Sequence, residues 1–127
     1  MTKIKEAPMT YQLKHIGTAE AAALLDFNQQ VITKFCRENT MPDGIVFSTA
    51  NQESYKYRID LASIVAVFGA KGAVSSASAS ARFGVSAATV RRWRKTGKIV
   101  GVNFGPEGRG AEWRFGVESI ENHLGIG

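Results

Sequence analysis

Displaced by 58 positions, the chain lies over itself, and this self-similarity limits the fold more than any other feature of the sequence. The run LLDFNQQVITKFCREN (24–39) falls on RFGVSAATVRRWRKTG (82–97). Leu25 meets Phe83, Phe27 meets Val85, Asn28 meets Ser86, Ile32 meets Val90, Phe35 meets Trp93 and Asn39 meets Gly97. Apolar residues meet apolar residues, and turn formers meet turn formers. The same offset lays YKY (55–57) over WRF (113–115). A fixed internal period implies one supersecondary unit used twice. With 127 residues in all, each unit has only a modest core available to it.

The second copy shows what the unit is. Ser75 or Ser76 can cap a short helix through ASASARF, because a serine oxygen accepts one of the unpaired amide protons of a first turn. Gly84 breaks that helix, and Ser86 is an N-cap for a second one through AATVRRWRKT, which Gly97 can end in a left-handed conformation. Two short helices around a tight glycine turn make a helix-turn-helix. KIVGVNFG then reads as a strand, PEGRGA as a turn and EWRFGV as the returning strand. Alternation there turns Trp113 and Phe115 to the core and Arg114 outward. A final short helix, VESIENHLG, closes the unit. In the first copy Thr18 is the expected cap of AEAAALLD, and Asn28 and Asn39 suit an N-cap and a left-handed C-terminus. The expected fold is therefore mainly α with small β wings, as two tandem winged helix-turn-helix units. The boundaries are a tail over 1–9, a degenerate unit over 10–69, a linker over 70–75 and a basic unit over 76–127.

Charge separates the copies. Residues 1–69 hold seven Lys and Arg against seven Asp and Glu, whereas residues 70–127 hold nine against four, so the whole net charge of +5 lies in the second half. Such asymmetry points to a polyanion, most often nucleic acid. No run of about 18 apolar residues is present and the first residues are polar, so a cytoplasmic location is expected. Cys36 is the only cysteine, which excludes an internal disulfide and a multi-cysteine zinc site. His15 and His123 fall in different copies, the carboxylates form no metal or catalytic pattern, and GAKGAVS lacks the ending of a phosphate-binding loop. An enzyme is not expected, nor a cofactor.

On the second helix of the basic unit, Val90 and Trp93 share one face. Ala87, Ala88, Arg91, Arg92 and Lys95 fall toward the other, with Arg94 on a flank. Small residues at the start let the backbone sink into a groove, and a guanidinium one turn later can donate two parallel hydrogen bonds to guanine or to phosphate. Arg91 and Arg92 suit the groove, and Ser86, Arg94 and Lys95 the DNA backbone. Arg109, between glycines at the hairpin tip, suits a narrow minor groove. The matching residues of the first copy are Gln29, Gln30, Thr33, Lys34 and Arg37. Glutamine can pair with adenine, so this face is a second, weaker reader or else a protein contact. An RNA or single-strand binder would instead need the aromatics exposed. Cys36 is expected to be a half-buried thiol beside the core.

The run SASARFGVSAATVRRWRKTGKI, followed by EWRFGVESIENHL, resembles the helix-turn-helix of the MerR and phage excisionase superfamily. Gly84, Val85, Ser86, Thr89, Val90, Trp93, Gly97, Trp113, Arg114 and Phe115 carry the likeness, which spans about fifty residues. The resemblance implies a winged helix-turn-helix that binds double-stranded DNA, in a transcriptional regulator or an excisionase-like architectural factor of a bacterium, phage or mobile element. It also leaves open an adaptor like a phage terminase small subunit, whose N-terminal copy holds a protein partner or self-associates while the C-terminal copy docks on DNA. No long coiled-coil helix follows the final strand and short helix, so metal or drug sensing of the MerR type is not expected.

Overall fold

A computed structural model describes residues 15–49, 57–105 and 111–126. Arg109, most of the first hairpin tip and the 1–9 tail lie outside these residues. Twelve elements occur in them, and the order strand, helix, helix, strand, strand, helix occurs twice. The first set is β1 (His15–Ile16), α1 (Thr18–Leu25), α2 (Gln29–Glu38), β2 (Phe47–Thr49), β3 (Tyr57–Asp60) and α3 (Leu61–Phe68). The second is β4 (Ala73–Val74), α4 (Ser76–Phe83), α5 (Ala87–Lys95), β5 (Gly101–Asn103), β6 (Trp113–Gly116) and α6 (Val117–Leu124). Each set forms a three-stranded antiparallel sheet with its last strand in the centre, β1-β3-β2 and β4-β6-β5. The architecture is thus mainly helical with two small sheets.

Local chemistry accounts for the helix ends. Asn28, Asp60, Ser75 and Ser86 each occupy an N-cap in extended conformation and accept an amide proton of the first turn through the side chain, which removes an otherwise unpaired donor. Asp26, Asn39 and Gly84 close α1, α2 and α4 in the left-handed region, where short polar residues and glycine carry the least strain. The cap of α1 is Gly17 rather than Thr18; the carboxylate of Glu20 accepts the Gly17 amide at 3.1 Å, so the first turn is closed from within and Thr18 is its first helical residue.

The repeat holds through the second helix at an offset of 58 and then slips. Phe47 and Gly101 are equivalent, since they pair with Ile59 and Phe115 at matching places in the two ladders. Tyr57 is therefore the counterpart of Trp113 and Arg58 of Arg114, at an offset of 56, rather than YKY of WRF. A longer connection between α2 and β2 and a shorter hairpin produce the slip. Backbone pairing repeats with it: Val46 receives a hydrogen bond from Asp60 and donates to Ser63 Oγ, and Val100 receives one from Gly116 and donates to Ser119 Oγ.

The linker expected over 70–75 is structured: Ala73 and Val74 form β4 and are buried. Nor do the units keep separate interiors. One apolar cluster around Leu25, Ile32, Ile59 and Ile64 takes in Ala73, Phe104 and, at its margin, Val102 from the second half. The other gathers Val90, Phe115, Val117 and Ile120.

Arg114 shows why. Phe115 faces its own unit's core and Trp113 shares that face half-buried, as the alternation requires. Arg114, expected to point to solvent, is only 7% exposed. The opposite face of β6 is covered by the turn after α1. There Nε donates to the Leu25 carbonyl at 3.0 Å, Nη2 donates to the Asp26 carbonyl at 2.8 Å, and the guanidinium lies 3.7 Å from the centre of the Phe27 ring. Asp26 completes the joint by accepting the Ser75 amide at 2.9 Å. Burial alone would raise the Asp26 pKa, but hydrogen bonds from the Ser75 amide and the Ser78 and Ser75 hydroxyls, with the Arg114 charge, outweigh it and hold the carboxyl below its usual range.

Candidate nucleic-acid interface

The cationic face of α5 begins at its cap. Ser86 Oγ accepts the Thr89 amide at 3.0 Å and shares a hydrogen bond with the Thr89 hydroxyl at 2.8 Å, so this serine is engaged in holding the helix start. Val90 is fully buried and Trp93 half-buried on the inner face. Ala88, Arg91, Arg92 and Lys95 are exposed, while Ala87 is half-buried. Arg91 reaches back to Ser76 at the start of α4, with Nη1 3.5 Å from the hydroxyl. Arg92 and Lys95 stand clear on the last two turns.

Arg94, grouped by sequence with the DNA-backbone contacts, is turned inward. Its guanidinium sits over the Trp113 ring at 4.0 Å, and its stem passes Gly101 so closely that a methyl group there would collide with Arg94 Cγ. The side chain is half-buried and joins α5 to the β5–β6 hairpin as a cation–π contact. Trp93 meets His123 edge to face at 4.6 Å. Both tryptophans thus use ring surface on partners within the chain, which leaves less of it for stacking on bases.

Between the start of α4, with Arg91 of α5 beside it, and the β6 side of the hairpin lies a groove of about 440 Å³ lined by Ser75, Ser76, Ala77, Arg91, Trp113 and Arg114, among others. The first copy has a matching groove of about 350 Å³, lined by Gly17, Thr18, Ala19, Gln29, Thr33, Tyr57 and Arg58. In that copy Gln29 donates from Nε2 to Thr18 Oγ1 at 3.0 Å, and the Thr33 hydroxyl donates to the Gln29 carbonyl at 3.1 Å. Thr33 is half-buried, whereas Gln29, Gln30, Lys34 and Arg37 are exposed. Gln30, Lys34 and Arg37, spaced four and three apart, share one face of α2. Cys36 behind them is buried rather than half-buried, and burial pushes its thiol up to about 11, so it stays protonated and a poor nucleophile at neutral pH.

No group of three or more metal-binding side chains occurs among the described residues, and none of their helices is long and apolar enough to cross a membrane. No protein-family model, no curated protein and no solved structure matches the chain.

Proposed function

We propose that the chain binds double-stranded DNA in a sequence-specific manner through two tandem winged helix-turn-helix units, as a transcriptional regulator or excisionase-like architectural factor. The observation that carries this reading is α5. A helix capped by Ser86 exposes Arg91, Arg92 and Lys95 on the side away from Val90, and a hairpin stands beside it across an open groove. Guanidinium groups on a helix that fits the major groove can read guanine, and ammonium groups near the strands' backbones add affinity without choosing sequence. The net charge of +5, all of it from residues 70–127, supplies the long-range attraction such binding requires.

Selection from a random duplex pool at about 150 mM salt, followed by titration of the recovered site, tests the reading. Arg92→Ala is expected to erode discrimination at particular base pairs by roughly 1–3 kcal/mol. Lys95→Ala should weaken all sequences alike and reduce the slope of affinity against salt by about one. Equal losses on selected and random DNA for both variants would leave only a polyanion patch.

A further inference from the structure

Three grooves set four elements side by side. In the first, Tyr57 and Arg58 of the β2–β3 hairpin face Gln29 and Thr33 of α2. In the second, Val31, Lys34 and Glu38 on the other flank of α2 face Phe104, Gly105 and Glu112 of the β5–β6 hairpin. In the third, Glu112, Trp113 and Arg114 of that hairpin face Arg91 of α5 and the start of α4. The row therefore runs hairpin, helix, hairpin, helix.

We infer that this row is one continuous track for a single duplex, with α2 and α5 in successive major-groove segments and the stem of the β5–β6 hairpin between them, at a spacing the chain itself fixes. The inference rests on the DNA-binding reading above and goes beyond it in assigning both helices to one site. A duplex offers such segments, each a wide groove that admits a helix.

The joint between the units does not let the helices drift apart. Arg114 is held by main-chain carbonyls at the α1–α2 turn and Asp26 by the Ser75 amide. Phe27, just before α2, and Phe35, within it, lie with ring centres 5.0 and 5.8 Å from Phe104 at the root of the hairpin. Glu112, which borders the grooves on both sides of that hairpin, is paired with Arg114 at 3.2 Å, so its charge is answered within the protein.

The helices divide the work by chemistry. The α5 face carries three cations, while α2 presents Gln30 beside Lys34 and Arg37 from a half of the chain with no net charge. Glu38 shares the groove with Lys34, which disfavours a phosphate there. The α5 face is then the main source of affinity, and α2 a source of base preference through Gln30.

The test uses the full chain and the duplex it selects. Gln30→Ala and Lys34→Ala, both at exposed positions, are expected to alter preference on one flank of the site, and Arg92→Ala on the other. Inserting two base pairs between the flanks should lower affinity roughly tenfold or more, because one helix then loses its contacts. If Arg92→Ala changes base preference while the α2 variants change none, or the insertion costs nothing, the shared track is overturned and DNA reading by α5 survives. If the wild-type chain selects no sequence, both readings fall.

Discussion

Arg114 is the side chain on which the two halves meet. Its fork fills main-chain acceptors of the first unit from a strand of the second, a geometry that a single ammonium does not reproduce. Arg114→Met is expected to cost about 3 kcal/mol and Arg114→Lys most of that, read from denaturant midpoints, since buried carbonyls lose their donors. Strand alternation placed this residue on the face away from its own core, which is correct; that another unit covers that face is a long-range fact with no local signature. Asp26 adds a pH dependence. Its folded pKa lies below the ordinary value, so its contribution is complete above about pH 4 and lost as pH falls through the lower folded value. Wild-type stability is expected to drop as pH falls below about 4 by more than that of Asp26→Asn. A pH profile shared by both proteins would separate Asp26 from acid unfolding.

Elements were legible where a cap or a left-handed residue marked them. Asn28, Ser86, Asn39 and Gly84 do the work the sequence assigns to them, because capping is settled within four residues. Ser86→Ala should remove about 1 kcal/mol and, by fraying the start of α5, weaken any binding through Arg91; a circular-dichroism melt gives the first quantity. Less legible was LASIVAVF, which Asp60 caps to make α3. A run of eight residues that is apolar but for Ser63 fits a buried strand as well as a helix, and only the cap and the following glycine decide it. The two-residue strands β1 and β4 were hidden by their shortness, and the slip from 58 to 56 by loops whose lengths no pattern constrains. On α5, Arg91, Arg92 and Lys95 are exposed where the spacing put them, and Arg94 is not, because its partner Trp113 is 19 positions away and reaches it only through the fold.

At the scale of the molecule, the two cores are joined by Phe104, Val102 and Ala73, which come from the second half and pack with the first. Unfolding is accordingly expected to be one cooperative event. Trp93 and Trp113 both lie in the second half, so their fluorescence reports that half alone while far-ultraviolet circular dichroism reports all the helices. The two transitions should coincide in urea, and separated midpoints would show independent halves. Gly72 has a similar meaning: its φ of 74° and its approach to the Leu24 carbonyl leave no room for a methyl group, so the chain closes one unit onto the other within a few residues of leaving it. The face of the second sheet that carries Val102 and Arg114 is interior only because a neighbour lies on it. Excise that neighbour and the remaining half presents Phe104 to water and a guanidinium stripped of its Leu25 and Asp26 acceptors. Neither half is expected to survive being dropped, swapped or grafted alone, which makes the pair the smallest portable piece of this protein.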